Sequence, residues 1–120
     1  MSTVVGVLTS TDVIIGTDTL LMQGETRLSH RYGHNPKKRP DDAYEGNHIS
    51  ALVANGTGRP YALGAMYAAW TSRQPQPSAL TVARSGLQAA MEFDRATGGA
   101  MRLFRFERGS RQGPEEVGQG

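Results

Sequence analysis

The stretch that decides the fold stands at the start of the chain, where residues 3–8 read TVVGVL and residues 13–16 read VIIG. Both runs are rich in β-branched residues, which favour strands. The connection, residues 9–12, reads TSTD, and Thr, Ser and Asp side chains bond their own backbone in turns. We therefore predict a β-hairpin. Because the runs are apolar nearly throughout rather than alternating, we expect strands that are covered on both faces.

The hairpin brings the two ends of this stretch together. Asp18 ends the second strand, so pairing would place it beside the start of the first strand and the hydroxyl of Ser2. A carboxylate, a hydroxyl and, once Met1 is removed, a free α-amine would then share one small volume. Asp18 would either take part in chemistry there or cap a turn, and the sequence favours neither alternative.

The composition indicates one small globular domain. The chain has 120 residues, of which 38% are hydrophobic, enough for a modest core. The absence of cysteine excludes a disulfide scaffold, a cysteine nucleophile and thiolate metal sites. No apolar run reaches the roughly 18 residues of a membrane helix, and we expect a cytoplasmic protein or part of an assembled particle. A net charge of +2 is too small to indicate nucleic-acid binding.

A polar and basic segment, residues 25–42, follows the hairpin. Its charges would suit a phosphate or nucleic acid, but base-stacking aromatic residues are nearly absent, and we favour a solvated loop. His30 and His34 have the spacing of a metal-binding pair on a helix. A glycine lies between them and no third ligand is near, so we expect neither a metal site nor a cofactor.

The rest of the chain has patterns of two helices flanked by strands. The predicted elements are a strand over residues 48–54, a helix over 60–71, a helix over 79–96 with Ser78 as its N-cap, and a strand over 101–107. On the first helix, the larger apolar residues predict one buried face, made of Leu63, Met66, Tyr67 and Trp70. Residues 1–108 would form the domain, and residues 109–120 a flexible or partner-bound tail with little to bury.

Three blocks of this sequence occur together in a known family. They are the opening hairpin, residues 55–64 (NGTGRPYALG), which open a helix, and residues 94–99 (DRATGG). In these blocks the chain resembles a shortened β-type subunit of the proteasome, a member of the N-terminal-nucleophile hydrolases. The resemblance implies a reduced αββα sandwich, an α+β fold of two stacked, mainly antiparallel sheets with two helices on one face.

The resemblance also implies roles for particular residues. Ser2 stands at the family's nucleophilic threonine, and Asp18 at its strand-end aspartate. Thr57 and Thr97 stand at two serines of the family pattern, and Asp94 stands at the aspartate of its Asp-x-x-Ser-Gly-Gly block. Taken singly, each of these last three residues is better explained as a helix-end cap.

The family's lysine beside the nucleophile has no single counterpart here. An ungapped count gives His34, whereas a short insertion gives Lys38 or Lys37. In such a site the α-amine of the first residue, with a pKa of about 7.7–8.0, takes the hydroxyl proton. A nearby lysine lowers that pKa by like-charge repulsion, and the aspartate orients the lysine. While Met1 is attached, the nitrogen of Ser2 is an amide and cannot act as the base.

Two functions are compatible with these features. The family's middle section, with an oxyanion-hole glycine and two more helices, is largely absent, which leaves an apolar sheet face uncovered and predicts a homo-oligomer. We favour a self-assembling structural subunit, for example a virion or shell component, with degenerate catalysis. The alternative is an active peptidase that cleaves amide bonds with Ser2 after loss of Met1, assisted by Asp18 and Lys38.

Overall fold

The computed structural model describes residues 2–23, 26–29, 49–71 and 78–119, with the backbone alone for residues 21–29 and 119 within these ranges. This part of the chain has an α+β fold. Its elements, in chain order, are β1 (Thr3–Thr9), β2 (Asp12–Asp18), β3 (Leu20–Gln23), β4 (Thr26–Ser29), β5 (Ile49–Gly56), α1 (Arg59–Thr71), α2 (Ala79–Phe93), β6 (Met101–Glu107) and β7 (Glu115–Gln119).

The predicted hairpin is confirmed and lies within a five-stranded antiparallel sheet. The strand order is β5-β1-β2-β6-β7, with Val5 opposite Gly16 in the β1–β2 pair. In the turn, the Thr9 hydroxyl accepts the N–H groups of Thr11 and Asp12, at 3.2 and 2.8 Å. Strands β3 and β4 pair with each other in a second, two-stranded sheet. Stacking of this hairpin on the larger sheet, as the sandwich requires, stays a prediction.

Both predicted helices are present and pack on one face of the five-stranded sheet. Ser78 caps α2 as predicted, because its hydroxyl accepts the N–H of Thr81 at 3.1 Å. The helix ends at Phe93 rather than at residue 96, since Asp94 adopts an extended conformation while its N–H still bonds Ala90. Among the described residues, no helix combines the length and the apolarity needed to cross a membrane.

The predicted buried face of α1 is partly wrong. Met66 is buried, but Tyr67 is exposed and its place in the core is taken by Ala62. The reason lies on α2, where Gly86 provides the contact surface. A Cβ at Gly86 would lie 2.6 Å from Met66 Cγ and 3.2 Å from the Ala62 carbonyl oxygen. This close approach sets the rotation of α1 and turns Tyr67 outward.

The expectation that β1 and β2 are covered on both faces is wrong at Val4 of β1, whereas the outward residues of β2 are half-buried. On the face opposite the helices, Val4 is 41% exposed and Val53 on the neighbouring β5 is 53% exposed. Phe106 on β6 is exposed on the same face. We call this surface the outer face of the sheet. The helix-facing side alternates with it and holds the core, which includes Val5, Val7, Ile14, Leu80, Leu87 and Leu103.

The C-terminal segment differs from the expected tail. Residues 115–119 form β7, an edge strand that pairs with β6. Val117 is buried, and the guanidinium of Arg102 binds both carboxylate oxygens of Glu116, at 2.8 and 2.9 Å. Backbone pairing with β6, a bidentate ion pair and a buried valine hold this short strand, although its composition is polar and rich in glycine. The described fold therefore extends beyond residue 108.

Candidate active site

Asp18 lies beside the start of the chain, as the hairpin predicts. Its Oδ1 accepts the backbone N–H of Thr3 at 3.1 Å, and its Oδ2 accepts that of Gly98 at 3.0 Å. The carboxylate is almost fully buried. It therefore joins three segments: the end of β2, the beginning of β1, and the loop that follows α2. Ser2 is one residue from this junction, about 3.8 Å away between Cα atoms.

A second carboxylate, Asp94, holds the same loop through hydroxyl groups. Asp94 Oδ2 accepts the hydroxyls of Thr57 and Thr97, at 2.6 and 2.5 Å. The Thr97 hydroxyl oxygen also lies 2.7 Å from that of Thr3, and the Thr3 hydroxyl accepts the Gly58 N–H at 3.0 Å. The side chains of Thr3 and Thr97 are wholly buried, whereas Thr57 is exposed. We call Thr3, Thr57, Asp94 and Thr97 the hydroxyl network.

The hydroxyl groups of the hydroxyl network donate their hydrogen bonds in the direction of Asp94. Because an ionised carboxylate only accepts, both hydroxyls on Asp94 donate to it. The single hydroxyl proton of Thr97 is therefore donated to Asp94. The Thr3 hydroxyl must then donate to the Thr97 oxygen, and it accepts the Gly58 N–H. Each link is polarised toward Asp94, and such chains reinforce one another in a buried environment.

The charge state of Asp94 agrees with this direction. Desolvation raises the pKa of Asp94, but the hydrogen bonds from Thr57, Thr97 and the Ala96 N–H outweigh it, with a smaller contribution from the positive N-terminus. The pKa therefore lies below its ordinary value of 3.8. Asp94 is a carboxylate at neutral pH and keeps the Thr3–Thr97 chain oriented.

Two glycines allow β5 and α1 to reach the start of the chain. Gly56 has a φ of 103°, and a Cβ there would lie 1.9 Å from the carbonyl oxygen of Ser2. A Cβ at Gly58 would lie 2.3 Å from the Thr3 hydroxyl oxygen. The block over residues 55–58 thus encloses Ser2 and Thr3 with its backbone. This contact explains both glycines.

The structure brings together five of the six predicted site residues. Ser2 and Asp18 meet through Thr3, while Thr57, Asp94 and Thr97 form the hydroxyl network. Lys38, with its alternatives at positions 34 and 37, lies outside the described residues. Thr3 was missed, because a threonine at the start of an apolar run is explained by strand propensity alone. Its contact with the glycine-rich block is a tertiary feature that the sequence pattern does not reveal.

No cation-binding cluster is present in the part of the chain that the structure describes. There, no group of three or more His, Asp or Glu side chains converges as metal ligands. The described polar groups are instead acceptors and donors around one chain terminus. Such an arrangement can orient an N-terminal residue, bind an amine beside carboxylates and pass a proton between hydroxyls.

Comparison with known proteins supports the fold. No family model and no curated protein matches the sequence. The structure is similar to that of Thiobacillus denitrificans BPH, with a TM-score of 0.63 and 21% identity over 92% of this chain and 100% of that one. A structure of the same protein in complex with epoxomicin matches 90% of this chain and 100% of that one, with a TM-score of 0.62 and 21% identity.

Epoxomicin is a proteasome inhibitor, so these neighbours agree with a proteasome-like fold. At 21% identity the likeness concerns the fold alone, since one fold supports many activities. Membership of the N-terminal-nucleophile hydrolases stays a prediction from the sequence.

Proposed function

We propose that this protein is an amide-bond hydrolase of the N-terminal-nucleophile type, in which Ser2 becomes the first residue and attacks the substrate. The observation that carries the proposal is the junction beside Ser2. Asp18 binds the N–H groups of Thr3 and Gly98, and Asp94 holds the Thr3 hydroxyl through Thr97, so both carboxylates act within one residue of the proposed nucleophile.

The reaction begins with the free α-amine of Ser2 taking the proton of its own hydroxyl. The Ser2 oxygen then attacks the amide carbonyl carbon and forms a C–O bond. The C–N bond of the substrate breaks, and the departing amine receives the proton held by the α-ammonium. Water, with the α-amine again as base, hydrolyses the resulting ester and restores Ser2. General-base assistance of this kind contributes about 10²–10⁴ in rate.

Each neighbouring residue has a distinct part in this scheme. Asp18 and the hydroxyl network are positioning groups: they hold Thr3, and through it they fix where the amine and hydroxyl of Ser2 point. The negative charges of Asp18 and Asp94 stabilise a protonated amine after it has accepted the hydroxyl proton. Lys38 is the proposed cation that would keep the free amine unprotonated before reaction.

The direct test is to prepare the chain with Ser2 at its N-terminus, for example by methionine aminopeptidase, and to assay it on fluorogenic peptides. We expect hydrolysis by this form and none by the form that retains Met1. Ser2→Thr should keep activity and Ser2→Ala should abolish it. Intact mass establishes which form is present in each assay. Equal activity of the Ser2→Ala and native chains would overturn the proposal.

Epoxomicin offers a second probe, because the structural neighbour was solved with it. We expect it to raise the melting temperature of the Ser2-first form. At about 100 times the dissociation constant, binding adds about 2.7 kcal/mol to stability. The Met1-retaining form serves as the control, and stabilisation of both forms to the same extent would show that binding does not involve the α-amine.

A second candidate is a structural subunit that self-associates, as in a virion or shell. The supporting observation is the apolar outer face, where Val4, Val53 and Phe106 are exposed. Exposed apolar surface of this kind is typical of interfaces. Light scattering distinguishes this candidate: we expect a homo-oligomer at working concentration, and a monodisperse monomer would contradict it.

A further inference from the structure

Cleavage of an amide by Ser2 needs a hydrogen-bond donor for the carbonyl oxygen, which becomes negative in the transition state. One positioned donor of this kind is worth about 10²–10³ in rate. In the family that the chain resembles, a glycine of the middle section supplies such a donor, and that section is largely absent from this sequence. Another residue beside Ser2 would then have to supply the donor, and β5 is the strand that borders the start of β1.

Asn55, near the end of β5, holds its side-chain amide in a defined orientation. The Gly56 N–H donates to Asn55 Oδ1 at 2.9 Å. Because an N–H group can bond only to the oxygen of the amide, this contact identifies the two ends of the side chain. The NH₂ group, which carries two donors, lies on the side of the amide away from Gly56, and the residue is exposed. Asn55 therefore presents an oriented donor at the surface.

Strand alternation places Asn55 and Ser2 on the same face of the sheet. Asn55 is paired with Val4, which lies on the outer face. Thr3 points to the helix side, where its hydroxyl contacts Gly58. Because successive side chains of an extended strand alternate, position 2 lies on the outer face together with position 4. Ser2 and Asn55 are then diagonal neighbours on two paired strands, with Cα atoms about 7–8 Å apart.

The outer face has room for a substrate beside Asn55. A cavity of about 130 Å³ opens between β5, β1 and β2, and its lining includes the aliphatic side chains of Val4, Ile15 and Val53. Asn55 is the polar side chain in this lining. Substrate sites typically combine apolar walls with a few placed polar groups, and an apolar cavity of about 150 Å³ is large enough for benzene. A substrate with an apolar side chain in this cavity would bring its neighbouring carbonyl group close to Asn55.

We propose that Asn55 is a catalytic residue of this site, whose side-chain NH₂ group donates to the oxyanion formed when Ser2 attacks the substrate. This inference rests on the hydrolase activity proposed above. As the Ser2 oxygen forms its bond to the carbonyl carbon, the C=O π-electron pair moves onto the oxygen, and an Asn55 N–H bonds to it at about 2.7–3.1 Å. The pair returns to re-form the C=O bond when the C–N bond breaks.

Two substitutions in the Ser2-first form test the role of Asn55. Asn55→Asp keeps an acceptor for the Gly56 N–H and removes the NH₂ group, whereas Asn55→Ala removes the NH₂ group without adding a charge. A hydrogen bond to an oxyanion is stronger than one to a neutral carbonyl, so its loss lowers kcat rather than raising KM. We expect kcat on a fluorogenic peptide to fall about 10²–10³-fold in both variants, with KM within about threefold of the native value.

A peptide aldehyde separates a donor to the oxyanion from a residue that only supports the fold. The aldehyde forms a hemiacetal with the Ser2 hydroxyl, and the hemiacetal oxygen takes the position of the oxyanion. Its inhibition constant should rise about 10²-fold in Asn55→Ala, while KM for the peptide substrate stays near the native value. An unchanged inhibition constant, or a loss of activity that lies in KM alone, would overturn the proposal.

Ser50→Ala is the matched control. Ser50 lies at the other end of β5, where its hydroxyl donates to the Leu8 carbonyl oxygen at 3.2 Å. We expect native kcat in this variant, and urea unfolding establishes the folded fraction of each chain. If the native Ser2-first form is active and either Asn55 variant keeps kcat within about threefold of it, the role of Asn55 is overturned and the proposed hydrolase stands. An inactive native Ser2-first form overturns both proposals.

Discussion

Strand β2 carries a buried aspartate at each end, and the two are bound in different ways. Asp12 is 3% exposed and Asp18 is 6% exposed. Asp12 Oδ1 lies 2.8 Å from the guanidinium of Arg105, which is also 3.6 Å from a carboxylate oxygen of Glu115. Asp18 binds main-chain N–H groups at the start of β1 and after α2. One strand therefore presents the same side chain in two electrostatic environments.

The difference distinguishes Asp12, whose carboxylate stabilises the fold, from Asp18, whose negative charge can act on a neighbouring amine. A cation on the adjacent strand neutralises Asp12, so its contribution is to hold β2, β6 and β7 together. The described partners of Asp18 are backbone N–H groups, which spread its charge without cancelling it. A carboxylate beside the chain start favours an ammonium group there. The contrast can be tested with matched substitutions.

The largest loss of stability is expected from Asp12→Asn. Removing one partner of a buried ion pair costs about 3–5 kcal/mol, and we expect about 3 because Glu115 remains close to Arg105. Urea unfolding measures the change. Activity per folded molecule should stay within about twofold of the native chain, since this end of β2 is remote from Ser2. A proportionate loss of activity would contradict the division between the two ends.

The matched change at the other end, Asp18→Asn, should cost about 2 kcal/mol. One oxygen can still accept a backbone N–H, but the amide NH₂ must face the second N–H, which is left without an acceptor. Activity of the Ser2-first form should fall by far more than that of Asp12→Asn, when both are compared at equal folded concentration. Equal residual activity in the two variants would indicate that Asp18, too, is only structural.

The hydroxyl network offers a smaller contrast between a buried and an exposed threonine. Thr97→Val removes a hydrogen bond to a charged group and leaves the Thr3 hydroxyl without its acceptor, at a cost of about 1.5–3 kcal/mol. Thr57→Val removes one exposed bond to Asp94 and should cost less than about 1 kcal/mol. Thermal or urea unfolding of the two variants gives the comparison. Similar losses would mean that burial at Thr97 does not strengthen the network.

The smallest effect concerns pH. Because the pKa of Asp94 is lower in the folded chain than its ordinary value of 3.8, its ionised form stabilises the fold above that pH, and the contribution is lost as pH falls through the folded-state pKa. Thr57→Val removes one cause of the lowering and should raise the pKa of Asp94. A carboxyl-carbon NMR titration of the native and variant chains measures both values. The same titration midpoint in both would contradict this account of the shift.

Local sequence predicted the elements where periodicity and turn chemistry agree. The TSTD turn between two β-branched runs, the Ser78 cap and the alternation over residues 101–107 each required only neighbouring residues, and each is present. The proximity of Asp18 to the chain start also followed from the hairpin alone. Thr57, Asp94 and Thr97 of the hydroxyl network were named from the resemblance and Thr3 was not, and the contacts of the network connect positions as far apart as 3 and 97.

Local patterns in the sequence were sufficient to predict β1, β2, β5, β6, both helices and the approach of Asp18 to the chain start, because these depend on local backbone preferences and on pairing between neighbouring strands. Tertiary structure alone decided three things. The close contact of Gly86 with Met66 sets the rotation of α1 and leaves Tyr67 exposed. Arginines on β6 pair with glutamates of the polar C-terminal segment, which forms β7. Thr3 links Asp18, through its N–H, to Asp94, through the Thr97 hydroxyl. Each depends on contacts between groups that are far apart in sequence, and a local sequence pattern does not reveal such contacts.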